Sequence, residues 1–183
     1  MRDVYRRSDL LTPIAAEDYP GWGRHYNFDG VIASVAAQSA RVGSYLQVFR
    51  NGCLEAVEAE LLRPLDGQRK VIIPPYELRV GEAVGIYFEL LKALGFEPPI
   101  FLMLSLLGVN GYEMFRRPGV LHRPMSEQTI RHNDLIMPEV QIDEYAESYF
   151  PFLKQSFDVV WQACGWEGDP NYDENGVWNY RDR

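Results

Sequence analysis

With 183 residues, 46% of them hydrophobic and 13% aromatic, the chain carries enough apolar side chain for a packed core and falls outside the disordered class. Its 26 acidic residues outnumber 18 basic ones, for a formal charge of −8. The summed field therefore repels phosphate, which excludes general attraction to nucleic acid or anionic lipid and leaves only a local basic patch to bind them.

Residues 1–25 are polar and punctuated by Pro13, Pro20, Gly21 and Gly23, and read as an arm or linker. Residues 26–183 read as a single α+β domain that includes a C-terminal tail. Tyr26 to Ser34 is a first strand and Val35 to Gly43 a connection. From Ser44 to Glu60 two alternating runs meet at Asn51-Gly52, a pair that favours positive φ and predicts a hairpin closed by a type I′ turn. Alternation puts Tyr45, Gln47 and Phe49 on one face and Leu46 and Val48 on the other. Lys70 to Ile73 forms a short strand stopped by Pro74-Pro75.

A helix follows from Tyr76 to Leu94, with Val80, Ala83, Val84, Tyr87, Leu91 and Leu94 as one apolar stripe. Gly81 and Gly85 inside it cost up to about 1 kcal/mol each against alanine, tolerable if another backbone approaches closely there. Gly95-Phe96 is a helix ending with glycine in the left-handed region, and Pro98-Pro99 blocks continuation. Ile100 to Leu107 is almost unbroken apolar sequence and predicts a central strand covered on both faces. After a turn at Gly108 to Gly111, Tyr112 to Asn133 contains a basic loop. Leu135 to Ile142 is a further strand, edged or bent by Pro138. A second helix spans Ala146 to Cys164, with Phe150, Leu153, Phe157, Val160, Trp161 and Cys164 as its stripe, and Gly165-Trp166 repeats the first helix ending.

The expected architecture is thus α+β, a mixed or mainly antiparallel sheet of five or six strands covered on one side by two long helices. Trp161, Trp166, Trp178 and Tyr172 are expected to close the tail over the second helix. The cysteines, Cys53 and Cys164, lack Cys-x-x-Cys spacing, which excludes a zinc knuckle and leaves them as partly buried apolar fillers. No run reaches the roughly 18 apolar residues of a membrane helix, and the N-terminal stretch has no apolar signal region. A cytoplasmic protein without a membrane partner is expected.

Several stretches together carry a family resemblance: Phe28-Asp29-Gly30, Tyr45 to Gly52 with Glu55-Ala56-Val57, and Pro98 to Gly108 leading to Gly111-Tyr112. Leu135 to Val140, Val160 to Gly165 and Asn171 to Trp178 complete the set. This set resembles the carboxy-terminal region of bacterial proteins described as DNA-binding or ATP-binding that carry an amino-terminal Schlafen/Alba-like domain. The resemblance covers about residues 26–178 and excludes the Schlafen/Alba-like domain itself. It implies an accessory module that self-associates or docks a Schlafen/Alba-like partner domain, and it assigns no catalytic residue.

Three constellations carry chemistry. Arg116, Arg117, His122, Arg123, Arg131 and His132 gather six potential cations within 17 residues, beside Tyr112 and Phe115 for stacking. Guanidinium forks suit phosphate, so this segment is the candidate nucleic-acid, nucleotide or anion site; the alternative is a solvated loop or a subunit contact. Glu58 and Glu60 share a strand face and would be the centre of a metal-dependent nuclease, against the plainer reading of a charge-protected edge. Asn171-x-Asp173-x-Asn175-Gly176 with Asp182 follows part of a calcium loop, but asparagine and aspartate turns explain the same residues without metal. His25, His122 and His132 show no metal-ligand spacing, and there is no Gly-x-Ser-x-Gly elbow or Walker loop. No catalytic residue, metal site or cofactor is assigned. The leading reading is a non-catalytic accessory domain, with binding of nucleic acid or nucleotide second and a nuclease third.

Overall fold

The computed structural model describes residues 1–18, 21–36, 42–62, 64, 68, 70–73, 75–115 and 128–179. They form an α+β fold in two compact units, one of Met1–Leu61 with Arg79–Pro98 and the other of Leu62–Leu78 with Pro99–Arg183. Where the sequence reads one domain from residue 26 onward, the border between the units falls inside the first long helix.

The first unit holds α1 (Arg2–Arg6), a 3-10 turn at Ala16–Asp18 and four strands. These are β1 (Gly23–Tyr26), β2 (Gly30–Ala36), β3 (Val42–Phe49) and β4 (Leu54–Glu58), paired antiparallel in the order β1-β2-β3-β4. Most of α2 (Pro75–Ala93) belongs to this unit as well. Strand alternation sends Val31 and Ala33 of β2 and Leu46 and Val48 of β3 to one face, where they pack with Ala83, Tyr87 and Leu90 of α2. Val4 and Leu11 join the same cluster. The segment 1–25, read from sequence as an arm or linker, thus supplies two core side chains and three of the four residues of β1.

The β3–β4 hairpin forms as expected, with a different turn. Phe49 N–H bonds Cys53 O at 2.9 Å and Gly52 N–H bonds Phe49 O at 3.1 Å, leaving Arg50, Asn51 and Gly52 as a three-residue loop. Only Gly52 is left-handed there, at φ +91°, and the Asn51 side chain accepts from Cys53 N–H at 3.0 Å. The Asn-Gly pair therefore closes a type I turn followed by a glycine bulge rather than a type I′ turn. A Cβ on Gly52 would lie 2.3 Å from the Phe96 ring, so packing as well as φ reserves this position for glycine. At Gly85, by contrast, nothing lies within 4 Å of an added Cβ. Among the described residues, no other backbone approaches that glycine closely. The end of α2 is as expected: Gly95 has φ +79°, and Phe96 N–H reaches back to Leu91 O at 3.1 Å.

The second unit contains β5 (Val71–Ile72), the first turn of α2, β6 (Ile100–Leu102), β7 (Ser105–Leu106), β8 (Glu113–Met114), β9 (Leu135–Ile136), β10 (Val140–Ile142) and α3 (Phe150–Ala163). Its strands make three two-stranded ladders: β5 with β8 in parallel, and β6 with β10 and β7 with β9 antiparallel. The expected single sheet of five or six strands is replaced, among the described residues, by one sheet of four strands and these short pairs. The two long helices are present at 19 and 14 residues. The core of this unit includes Leu153, Phe157, Val160 and Trp161 of α3 with Ile72, Ile130 and Ile142. Tyr76 meets Phe157 edge to face at 5.7 Å between ring centroids. Among the described residues no helix is long and apolar enough to cross a membrane.

Candidate interaction surface

Residues 100–107 and 135–142 form one antiparallel ribbon, interrupted around Pro138. Ser105 pairs with Ile136 and Leu106 with Leu135, whereas Leu102 pairs with Val140 and Ile100 with Ile142. The register thus slips by one residue across Met137 to Glu139, a bulge at the proline. Met137 N–H still reaches Leu104 O at 3.1 Å, so the two halves stay joined.

Alternation then sorts the ribbon into two faces. Leu106, Leu135, Met137 and Ile142 point inward and are buried. The outer face carries Phe101, Met103, Leu107 and Ile136, which are 49%, 72%, 70% and 78% exposed. Ser105 and Gln141 complete it, both exposed. A strand expected to be covered on both faces is therefore covered on one. Four large apolar side chains on one continuous strand face exceed the scattered single exposures normal for a protein surface, and such patches mark association sites.

Arg131 and His132 are exposed just before β9. With Gln128, Thr129 and Ala163 they line a cavity of about 320 Å³. Arg116, Arg117, His122 and Arg123, the remaining members of the basic set, lie outside the described residues. Asp182 of the calcium-loop pattern does too. Within that pattern, Asp173 Oδ1 accepts from Asn175 N–H and Val177 N–H, both at 2.9 Å, an aspartate turn that uses the oxygen a cation would need. Glu58 ends β4, and its Oε2 accepts from Glu60 N–H at 2.9 Å and from Leu61 N–H at 2.5 Å. Glu60 stands beyond the strand, so the two carboxylates do not share a sheet face. Among the described residues no group of three or more histidine, cysteine or acidic side chains is arranged to hold a metal ion. Cys53 is exposed, against expectation, and Cys164 is buried.

The most perturbed carboxyl groups were not singled out by sequence. Glu77, in the first turn of α2, is fully buried; its Oε1 accepts from Trp161 Nε1–H and its Oε2 from Asn171 Nδ2–H, both at 2.7 Å. Burial, then the neighbouring Asp169 charge, pushes its carboxyl up to about 8. Burial likewise raises Asp169 to about 6. Asp169 Oδ1 accepts from Asn171 N–H at 2.8 Å, while Oδ2 is buried without a partner among the protein donors. A proton held by Glu77 supplies one. These contacts fasten the tail over α3, together with Tyr172 O–H to Phe150 O at 2.5 Å and the Phe150–Trp178 stack at 4.0 Å. Fully enclosed and hydrogen-bonded on both oxygens, Glu77 is placed to hold structure and not to meet a ligand. An acidic residue in the first turn of a helix looks like an ordinary dipole partner in sequence, so nothing there distinguishes it.

Comparison with protein-family models, with curated proteins and with solved structures finds no match for the chain.

Proposed function

We propose that the chain is a non-catalytic interaction module that works by covering the outer face of its 100–107/135–142 ribbon with another protein surface. The supporting observation is the exposure of Phe101, Met103, Leu107 and Ile136 side by side on that face. Burying a side chain of this size contributes about 1.5–3 kcal/mol, so the exposed fractions of the four together represent roughly 4–8 kcal/mol of driving force. That is comparable with the lower part of the cost of association, about 4–15 kcal/mol, and fits a weak, exchangeable contact rather than a permanent one. With the resemblance of residues 26–178, the module fits the accessory half of a Schlafen/Alba-like regulator acting in the cytoplasm. Its binding surface is then either another copy or the Schlafen/Alba-like domain.

The test is light scattering and capture with and without Ile136→Lys and Leu107→Lys. The wild-type chain should exceed its monomer mass of 21.1 kDa at high concentration or retain a Schlafen/Alba-like domain, and both variants should lose this while keeping their circular dichroism. Association unchanged by both substitutions counts against the face.

A second reading, binding of nucleic acid or nucleotide, draws on the exposure of Arg131 and His132 beside the 320 Å³ cavity. Arg131→Ala should then reduce retention on single-stranded DNA at low salt, with the difference vanishing as salt rises. Equal retention removes it.

A further inference from the structure

The ribbon is polarised along its length. Arg131 and His132 lead into β9, and Asp143 and Glu144 follow β10, all four exposed, with the apolar face between them and exposed Glu139 at the bulge. The ribbon continues irregularly to the basic end, where Val109 N–H bonds Asn133 O at 2.7 Å and Gly111 N–H bonds Ile130 O at 2.8 Å. Asp134 lies at the same end, and its Oδ1 accepts from Gly108 N–H and Asn133 Nδ2–H, both at 2.9 Å. Glu147 adds a further exposed carboxylate at the other end.

From this polarity we infer that the partner on the ribbon face is a second copy of this chain, related by a two-fold axis perpendicular to the strands. The inference rests on the interaction-module reading above and names its partner. A surface whose two ends carry opposite charge is complementary to itself once it is turned end for end. A two-fold centred between Met137 and Pro138 brings the Arg131-His132 end of one copy to the Asp143-Glu144 end of the second copy. Because the contact is isologous, each pairing occurs twice. A two-fold parallel to the strands would instead bring like ends together, acid on acid, in a chain already at −8.

Geometry also favours face against face over strand beside strand. Pro138 has no N–H to offer along the edge of its strand, and the bulge around it twists that edge away from regular pairing. The apolar side chains project from the face, so only that mode removes them from water. Both copies contribute the four side chains, which doubles the buried apolar surface.

Sedimentation equilibrium of the full chain at low salt separates the possible results. The wild type should dimerise, and Arg131→Glu and Glu144→Arg should each weaken the dimer by roughly ten-fold, since every reversal acts twice. The double variant R131E/E144R should return to within about two-fold of the wild type, and raising salt should erase the difference between all four proteins. A dimer lost in Ile136→Lys but untouched by either reversal keeps the face and overturns this axis. A double variant no tighter than the weaker single variant overturns the pairing. A wild type that stays monomeric at high concentration yet binds a Schlafen/Alba-like domain through Ile136 overturns the second copy as partner and leaves the module reading standing.

Discussion

Replacing Glu77 by glutamine should flatten the pH dependence of stability of the second unit. Glu77 is fully buried beside Asp169, and its carboxyl is raised from 4.5 to about 8. An acid whose pKa is raised on folding binds its proton more tightly in the native state, so its stabilising effect is complete below 4.5 and is lost as pH climbs to about 8. At about 1.4 kcal/mol per pH unit, the wild type should lose roughly 3–4 kcal/mol between pH 5 and pH 8 from this group. Asp169, raised to about 6, adds a loss of the same sign at lower pH. Glutamine keeps one oxygen for Trp161 Nε1–H. Its amide N–H can face Asn171, whose side chain then turns to offer oxygen. The two stability curves should therefore cross, with the variant equal or weaker at pH 5 and clearly stronger at pH 8. Urea unfolding followed by tryptophan emission, with Trp22 of the first unit replaced by phenylalanine in both proteins, suits the measurement, because the other three tryptophans, Trp161, Trp166 and Trp178, lie in the second unit. Parallel curves for the two proteins would refute the protonated Glu77.

Gly52→Ala should destabilise the first unit by about 1–3 kcal/mol, from a left-handed φ and a Cβ 2.3 Å from the Phe96 ring. Adding Phe96→Ala should recover only the packing share, as read by chemical denaturation of the single and double variants. Phe157→Ala, at a fully buried site, should cost the second unit about 3–5 kcal/mol, and a loss under 1 kcal/mol would mean the site is not packed as described. Asp173→Ala should remove the acceptor for Asn175 and Val177 N–H and cost about 1 kcal/mol, with millimolar calcium leaving the unfolding midpoint of the wild type unchanged. A calcium-dependent rise would restore the cation-loop reading.

The elements most legible in sequence are those whose signal is local. The stripes of α2 and α3, the glycine endings at Gly95 and Gly165 and the alternation of β3 each depend on neighbours within a few residues. The hairpin turn was legible as a turn and not as a type, because Asn-Gly fits both a two-residue loop and the three-residue loop with Gly52 as its bulge. What depends on distant partners was hidden. The run Ile100 to Leu107 is apolar on both of its alternating sets, and sequence cannot say that one set is left in water. It is this exposed set that makes the candidate surface. Val4 and Leu11 sit in a polar, proline-punctuated stretch whose burial depends on β2, β3 and α2. Glu77 meets its partners Asp169 and Asn171 more than ninety positions later. Of the basic segment, Arg131 and His132 are seen to be exposed at one end of the ribbon, a place their spacing alone does not give.

The most direct measurement of the central claim is the rate of peroxide oxidation of Met103, read by mass spectrometry as protein concentration rises or a Schlafen/Alba-like domain is added. Met103 is 72% exposed on the ribbon face, while Met114 and Met137 are each 4% exposed and serve as buried references. Covering of the face predicts that Met103 oxidises rapidly in dilute solution and becomes protected several-fold on association, with the references unchanged. A Met103 rate that stays constant while the chain associates would contradict the assignment of this face.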